Sequence, residues 1–182
     1  MNTIGDEKLR SSAISGMISG VAESSGESAA ALVSSLPSGA EQDKAATKVV
    51  SRWVISDPES AASWVAQFPE GGARAKSMRT LLGSWGRTDP TAAAEFLGGL
   101  PEGASRTEAI KSFLLSADYL RPEIAAGWAT QIPSEDKRAQ YHIEQVAIKW
   151  LRSGPSTAQT WLQQTSLTDE RKEYVLKKAT EN

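Results

Sequence analysis

Apolar residues along this chain recur at helical spacing, and the same phrase returns about every 32 positions. One stripe, at i, i+3, i+4 and i+7, reads Ile14, Met17, Ile18, Val21, then Ala46, Val49, Val50, Trp53. It returns as Met78, Leu81, Leu82, Trp85, as Ile110, Phe113, Leu114, Ala117, and as Ile143, Val146, Ala147, Trp150. This spacing puts four side chains on one helical face, so each stripe predicts an amphipathic helix with a single buried side. Strand alternation appears nowhere.

A second stripe follows each first one. Ala61, Ala62, Trp64, Val65 and Phe68 match Ala93, Ala94, Phe96, Leu97 and Leu100. Paired alanines let a neighbouring helix approach closely, and the aromatic fills the space beside them. Asp57-Pro58 and Asp89-Pro90 open these second helices. A carboxylate at the N-cap accepts orphan amide hydrogens, and proline at the first helical position has no amide to waste. Pro69 and Pro101 close them, because the residue before proline is pushed out of helical geometry. Ser38 with Glu41, and Ser105 with Glu108, have the spacing of capping boxes for the next first-type helix.

Proline marks the period. Pro37, Pro69, Pro101 and Pro133 lie 32 apart, as do Pro58, Pro90 and Pro122, with Pro155 following after 33. The extra residue falls in the Ser134–Arg138 loop, before a helix expected over 135–152, since the register counted back from Trp150 is intact. The fold class predicted is all-α: a right-handed α-solenoid of five two-helix units and about eleven short helices. The units span about 7–38, 39–70, 71–102, 103–134 and 135–167, with a charge-rich capping helix over 168–182, in one domain over 1–182. Residues 1 to about 6 are expected to fray.

Composition narrows the chemistry. The chain has no cysteine and one histidine, which removes disulfides, thiolate metal sites and multi-histidine metal centres. A net charge of -2 gives no electrostatic reason to bind nucleic acid. No apolar run approaches the roughly 18 residues that would span a bilayer. The six tryptophans fall on two columns, Trp53, Trp85, Trp150 and Trp64, Trp128, Trp161, where other units carry Val21, Ala117, Leu32 and Phe96. Such interchange is that of a core, not of a sugar-stacking platform.

The remaining candidates are weak. Asp57 and Asp89 are explained as caps. His142 shares a column with Ala45, Ser77 and Ala109, and no serine stands in a nucleophile elbow for it to activate. The run from Gly71 to Ser77 has Ala75 where a phosphate loop needs glycine, and no strand precedes it. Basic residues offer more. Lys44, Lys48 and Arg52 lie at i, i+4 and i+8 on one helix, and Lys76 with Arg79 continues the strip into the next unit. Glu108, Ser112 and Ser116 follow in the same columns, so a strip suited to an acidic peptide would be short.

The general pattern resembles the helical-hairpin repeat proteins that include the tetratricopeptide, Sel1-like and HEAT-like groups, with a shorter period and without the tetratricopeptide signature. The phrase W-x3-D-P-x2-A-A-x-W-x3-[LF]-P-x-G, fullest at Trp53–Gly71 and Trp85–Gly103, is more closely similar to a repeat of large uncharacterised bacterial proteins. Those carry long arrays of such units, often behind an N-terminal membrane or export segment. The resemblance implies the fold and brings no activity, cofactor or metal with it. The expected function is a non-enzymatic scaffold for an unknown protein or peptide. The alternative is a spacer or cell-envelope component of a longer repeat protein. The first residues lack the shape of a signal peptide, so the chain reads as cytoplasmic, or as extracytoplasmic if it is a piece of an exported protein.

Overall fold

In the computed structural model, the described residues are 3–116, 122–136, 138–154 and 156–181; within the first helix, side chains are described at 9, 12–14 and from 16 onward. They form eleven helices and no strand: α1 (Thr3–Ser24), α2 (Gly26–Ser34), α3 (Ala40–Ser56), α4 (Pro58–Ala66), α5 (Gly72–Thr88) and α6 (Pro90–Gly99) come first. The others are α7 (Ala104–Leu114), α8 (Pro122–Ala129), α9 (Ala139–Arg152), α10 (Ser156–Gln164) and α11 (Asp169–Thr180). Helix α1 starts at Thr3. Ala117 and Pro155, which the stripes and the proline column include, lie outside the described residues.

Asp57 and Asp89 occupy the junctions between long and short helices. Each carboxylate accepts a backbone N–H at 3.0 Å, from Ser60 and Ala92 respectively. Ser25 does the same for α2, its hydroxyl accepting from Ser28 N–H at 3.1 Å, so the first unit has a cap without the Asp-Pro pair. The capping boxes, by contrast, do not form. Helices α3, α5 and α7 begin at Gly39, Gly71 and Gly103, whose φ values of +143°, +157° and +155° are ones that other residues rarely adopt. The entry is therefore made by a glycine backbone. Ser38 lies one residue too early, and Ser105 is already buried inside α7. The α7 amide at Ser105 is satisfied from far away: Glu70 Oε1 accepts it at 2.8 Å.

Helix α9 also starts later than expected, at Ala139 in place of 135. A turn precedes it, in which Asp136 N–H donates to Pro133 O at 2.9 Å and Asp136 Oδ1 accepts Arg138 N–H at 2.9 Å. The buried apolar residues form one cluster from Ile18 to Val175. Each described stripe of α3, α5, α7 and α9 is buried in full, whereas Met17 is exposed; among the described residues α1 packs mainly on α2 and α3. The two tryptophan columns differ. Trp53, Trp85 and Trp150 are buried, while Trp64, Trp128 and Trp161 are half-buried; Trp64 and Trp161 lie against Trp53 and Trp150, and Trp128 stands edge-on to Phe113. Ring centroids lie 6.0 Å apart for Trp53–Trp64, 5.8 Å for Trp85–Phe96 and 5.7 Å for Trp150–Trp161. Gly26 is packed flat on the Trp53 ring; a Cβ there would sit 2.1 Å from it.

The long helices pack in series, α1 on α3, α3 on α5 and α5 on α7, and α9 then carries α11. The α5–α7 seam is the closest. Ser112 Oγ donates to Arg79 O at 2.7 Å, and Ser116 Oγ to Gly83 O at 3.2 Å. Helix α7 touches α9 only lightly. At the far end, the buried Glu144 carboxylate of α9 accepts both Arg171 Nε and Nη2 of α11.

Candidate functional site

Where α7 and α9 part, a cleft of about 680 Å³ opens beside α5. Its walls come from Arg79 of α5, from Glu108, Lys111 and Ser112 of α7, from Leu115 just past its end, and from Arg138, Tyr141 and His142 at the start of α9. The volume lies within the range of about 300–1,000 Å³ usual for ligand pockets.

One cation spans the gap. Lys111 Nζ lies 2.5 Å from Glu108 Oε1 and 2.8 Å from Asp136 Oδ2. Its partial burial alone disfavours the charge, but the hydrogen bonds to Asp136 and Glu108 outweigh that and raise its pKa. Asp136 is correspondingly lowered, first by Lys111 and then by the Arg138 amide. Arg79 has a looser neighbour, with Nη1 3.8 Å from Glu108 Oε2, and its side chain is 53% exposed. Arg138 is exposed and makes no ion pair among the described residues. His142 is buried and stands edge-on to the Tyr141 ring, 5.5 Å between centroids. Burial, followed by the charge of Lys111, lowers its pKa and keeps the ring neutral at pH 7.

Of the five basic residues singled out by the sequence, only Arg79 lines this cleft. It also borders a shallow hollow over α3 and α5, shared with Ser51, Thr80, Gly83, Ser84 and Arg87. Lys48, Arg52 and Lys76 are exposed without an ion pair among the described residues. Lys44 is exposed and paired with Glu41 at 2.8 Å, a hydrogen bond that raises its pKa. The sequence reading missed Lys111, Arg138 and Asp136. Lys111 stands 32 residues after Arg79, so extending that column by one unit would have found it.

No group of three or more His, Asp or Glu side chains among the described residues is placed to hold a metal ion. Among the same residues, no helix is long and apolar enough to cross a membrane. Compared with known proteins, the chain matches no family model, no curated protein and no solved structure.

Proposed function

We propose that the chain is a helical-repeat scaffold, a right-handed α-solenoid of five two-helix units, that binds another protein or peptide and does no chemistry of its own. The observation that supports this is the serial packing of α1, α3, α5 and α7 together with the exposure of five basic side chains on two of these helices. They are Lys44, Lys48 and Arg52 on α3 and Lys76 and Arg79 on α5. Stacked units give a long face whose exposed side chains vary independently of the buried stripes, which suits an extended partner. The likeness of the Trp53–Gly71 phrase to bacterial repeat arrays supports the same reading.

The test is quantitative affinity capture from the source cells. The wild-type chain is compared with a variant carrying glutamate at Lys44, Lys48, Arg52, Lys76 and Arg79. A specific partner retained by the wild type and reduced at least tenfold by the variant, at unchanged helical content, is the expected result. Recovery of no protein above a control bait overturns the reading and leaves the spacer role in its place.

A further inference from the structure

Building on the scaffold reading, we infer that the cleft between α7 and α9 is a peptide-docking site. It takes one acidic side chain of an extended segment together with a neighbouring apolar one. Two separate features of the lining lead to this.

The first is charge. Lys111 is already engaged on both sides by Glu108 and Asp136, so it works as an internal strut. Arg79 and Arg138 are not so engaged: one has a carboxylate no nearer than 3.8 Å, and the other has no ion pair among the described residues. A guanidinium presents a planar fork of donors that fits a carboxylate, and two of them at the mouth of one cleft complement an acidic side chain. The same lining argues against a polyanion. Glu108 lines the cleft and Asp136 pairs with Lys111 beside it; both would repel a run of phosphates, and three cations against these two carboxylates leave room for about one added negative charge.

The second is apolar surface. Leu115 is 68% exposed and Tyr141 is 51% exposed, and both flank this one cleft. Side chains of an extended peptide that share a face recur every second residue, roughly 6–7 Å apart. A segment with an acidic residue on Arg79 and Arg138 can therefore lay the next same-face apolar side chain on Leu115 or Tyr141. The occupant is a peptide and not a small free acid, because the cleft is open and Arg79 also borders the hollow over α3 and α5, which an extended segment can reach.

The experiment is fluorescence anisotropy with a fluorescein-labelled nine-residue peptide of alternating Glu and Leu. Its partners in the design are the Gln/Leu version and a single-stranded oligoribonucleotide of equal length. Saturable binding is expected, weakened at least tenfold in the Gln/Leu peptide and at least tenfold by Arg79→Gln with Arg138→Gln. A control variant remote from the cleft, Lys177→Gln on α11, stays within threefold of wild type, and Leu115→Ser weakens binding several-fold. All replaced side chains are exposed, and circular dichroism verifies that each variant is folded. The inference is overturned if the wild type shows no saturable binding, if the Gln/Leu peptide or the oligoribonucleotide binds as tightly, or if the double arginine variant binds unchanged. Should the affinity capture succeed while the labelled peptide fails, this site falls and the scaffold reading stands. Failure of both removes both.

Discussion

Helix α7 has two sides that should be alike and are not. Toward α5 it meets Gly83 and Gly86, where a Cβ would lie 2.8 Å from Ser112 Oγ and 2.9 Å from the Phe113 ring. Those missing side chains let two helices approach until serine hydroxyls reach the neighbouring backbone. Toward α9, the residue 32 after Gly83 is Leu115, and α7 has ended after 11 residues where α5 runs for 17. What spans this side is an ion pair from Lys111 to Asp136. One seam is closed by the absence of atoms and the other is bridged by charge. Leu115 in place of glycine, together with the early end of α7, accompanies an opening where the α5 side is packed.

The largest expected effect comes from carrying the open side's residue into the closed one. Gly83→Leu puts a Cβ 2.8 Å from Ser112 Oγ, which has to move and give up its bond to Arg79 O, and is expected to cost about 2–3 kcal/mol, the upper part of the usual range for overpacking. Urea denaturation gives the value, and a loss below about 1 kcal/mol would mean the seam is not what holds α5 and α7 together. Lys111→Met tests the other side. With Glu108 and Asp136 left facing without their cation, about 1–2 kcal/mol is expected, between the values for exposed and buried partners. That loss should shrink at high salt, whereas the Gly83→Leu loss should not; equal salt responses would erase the distinction.

Glu70→Gln comes next. It weakens the long-range cap on Ser105 N–H, and about 0.5–1 kcal/mol is expected by analogy with other N-terminal caps, read from the same denaturation curves. The smallest effect is pH dependence at the cleft. His142 lies below its ordinary value of 6.5, mainly through burial. As pH falls through 6.5 the unfolded chain takes up a proton that the folded one resists, so stability declines toward acid and is fully present above that value. Lys111, Asp136, Arg138 and Glu108 act on the same ring, and Asp136 and Glu70, both below their ordinary values, extend the decline as they protonate at lower pH. Stability measured between pH 7.5 and 5.5 should fall for the wild type and be flatter in His142→Gln.

What was legible in the sequence is local. Asp57, Pro58 and the paired alanines act within a few residues of themselves, and their spacing alone tells where helices begin and which face is buried. The pairing of Trp53 with Trp64 follows from two such faces meeting. The cleft follows from something else. It depends on Leu115 replacing a glycine, on α7 stopping short, and on Lys111 meeting an aspartate 25 residues later. None of these alters helical periodicity, so the pattern that reveals the units passes over the place where they separate. The failed capping boxes have a related cause: Ser105 and Glu108 have the right spacing, but the Gly103 backbone fixes the helix start, and spacing carries no record of φ.

Asp57 joins two helices with a single residue. Its N–H donates to Trp53 O at 2.9 Å, closing α3, while its carboxylate accepts Ser60 N–H and opens α4. Asp89 repeats this between α5 and α6, with its N–H on Trp85 O at 2.8 Å and its carboxylate on Ala92 N–H. With no spare residue to absorb fraying, the last turn of the long helix cannot open without removing the cap of the short one. The hairpin, and not the helix, is then the smallest piece that can come undone, and local opening is expected to proceed in whole units.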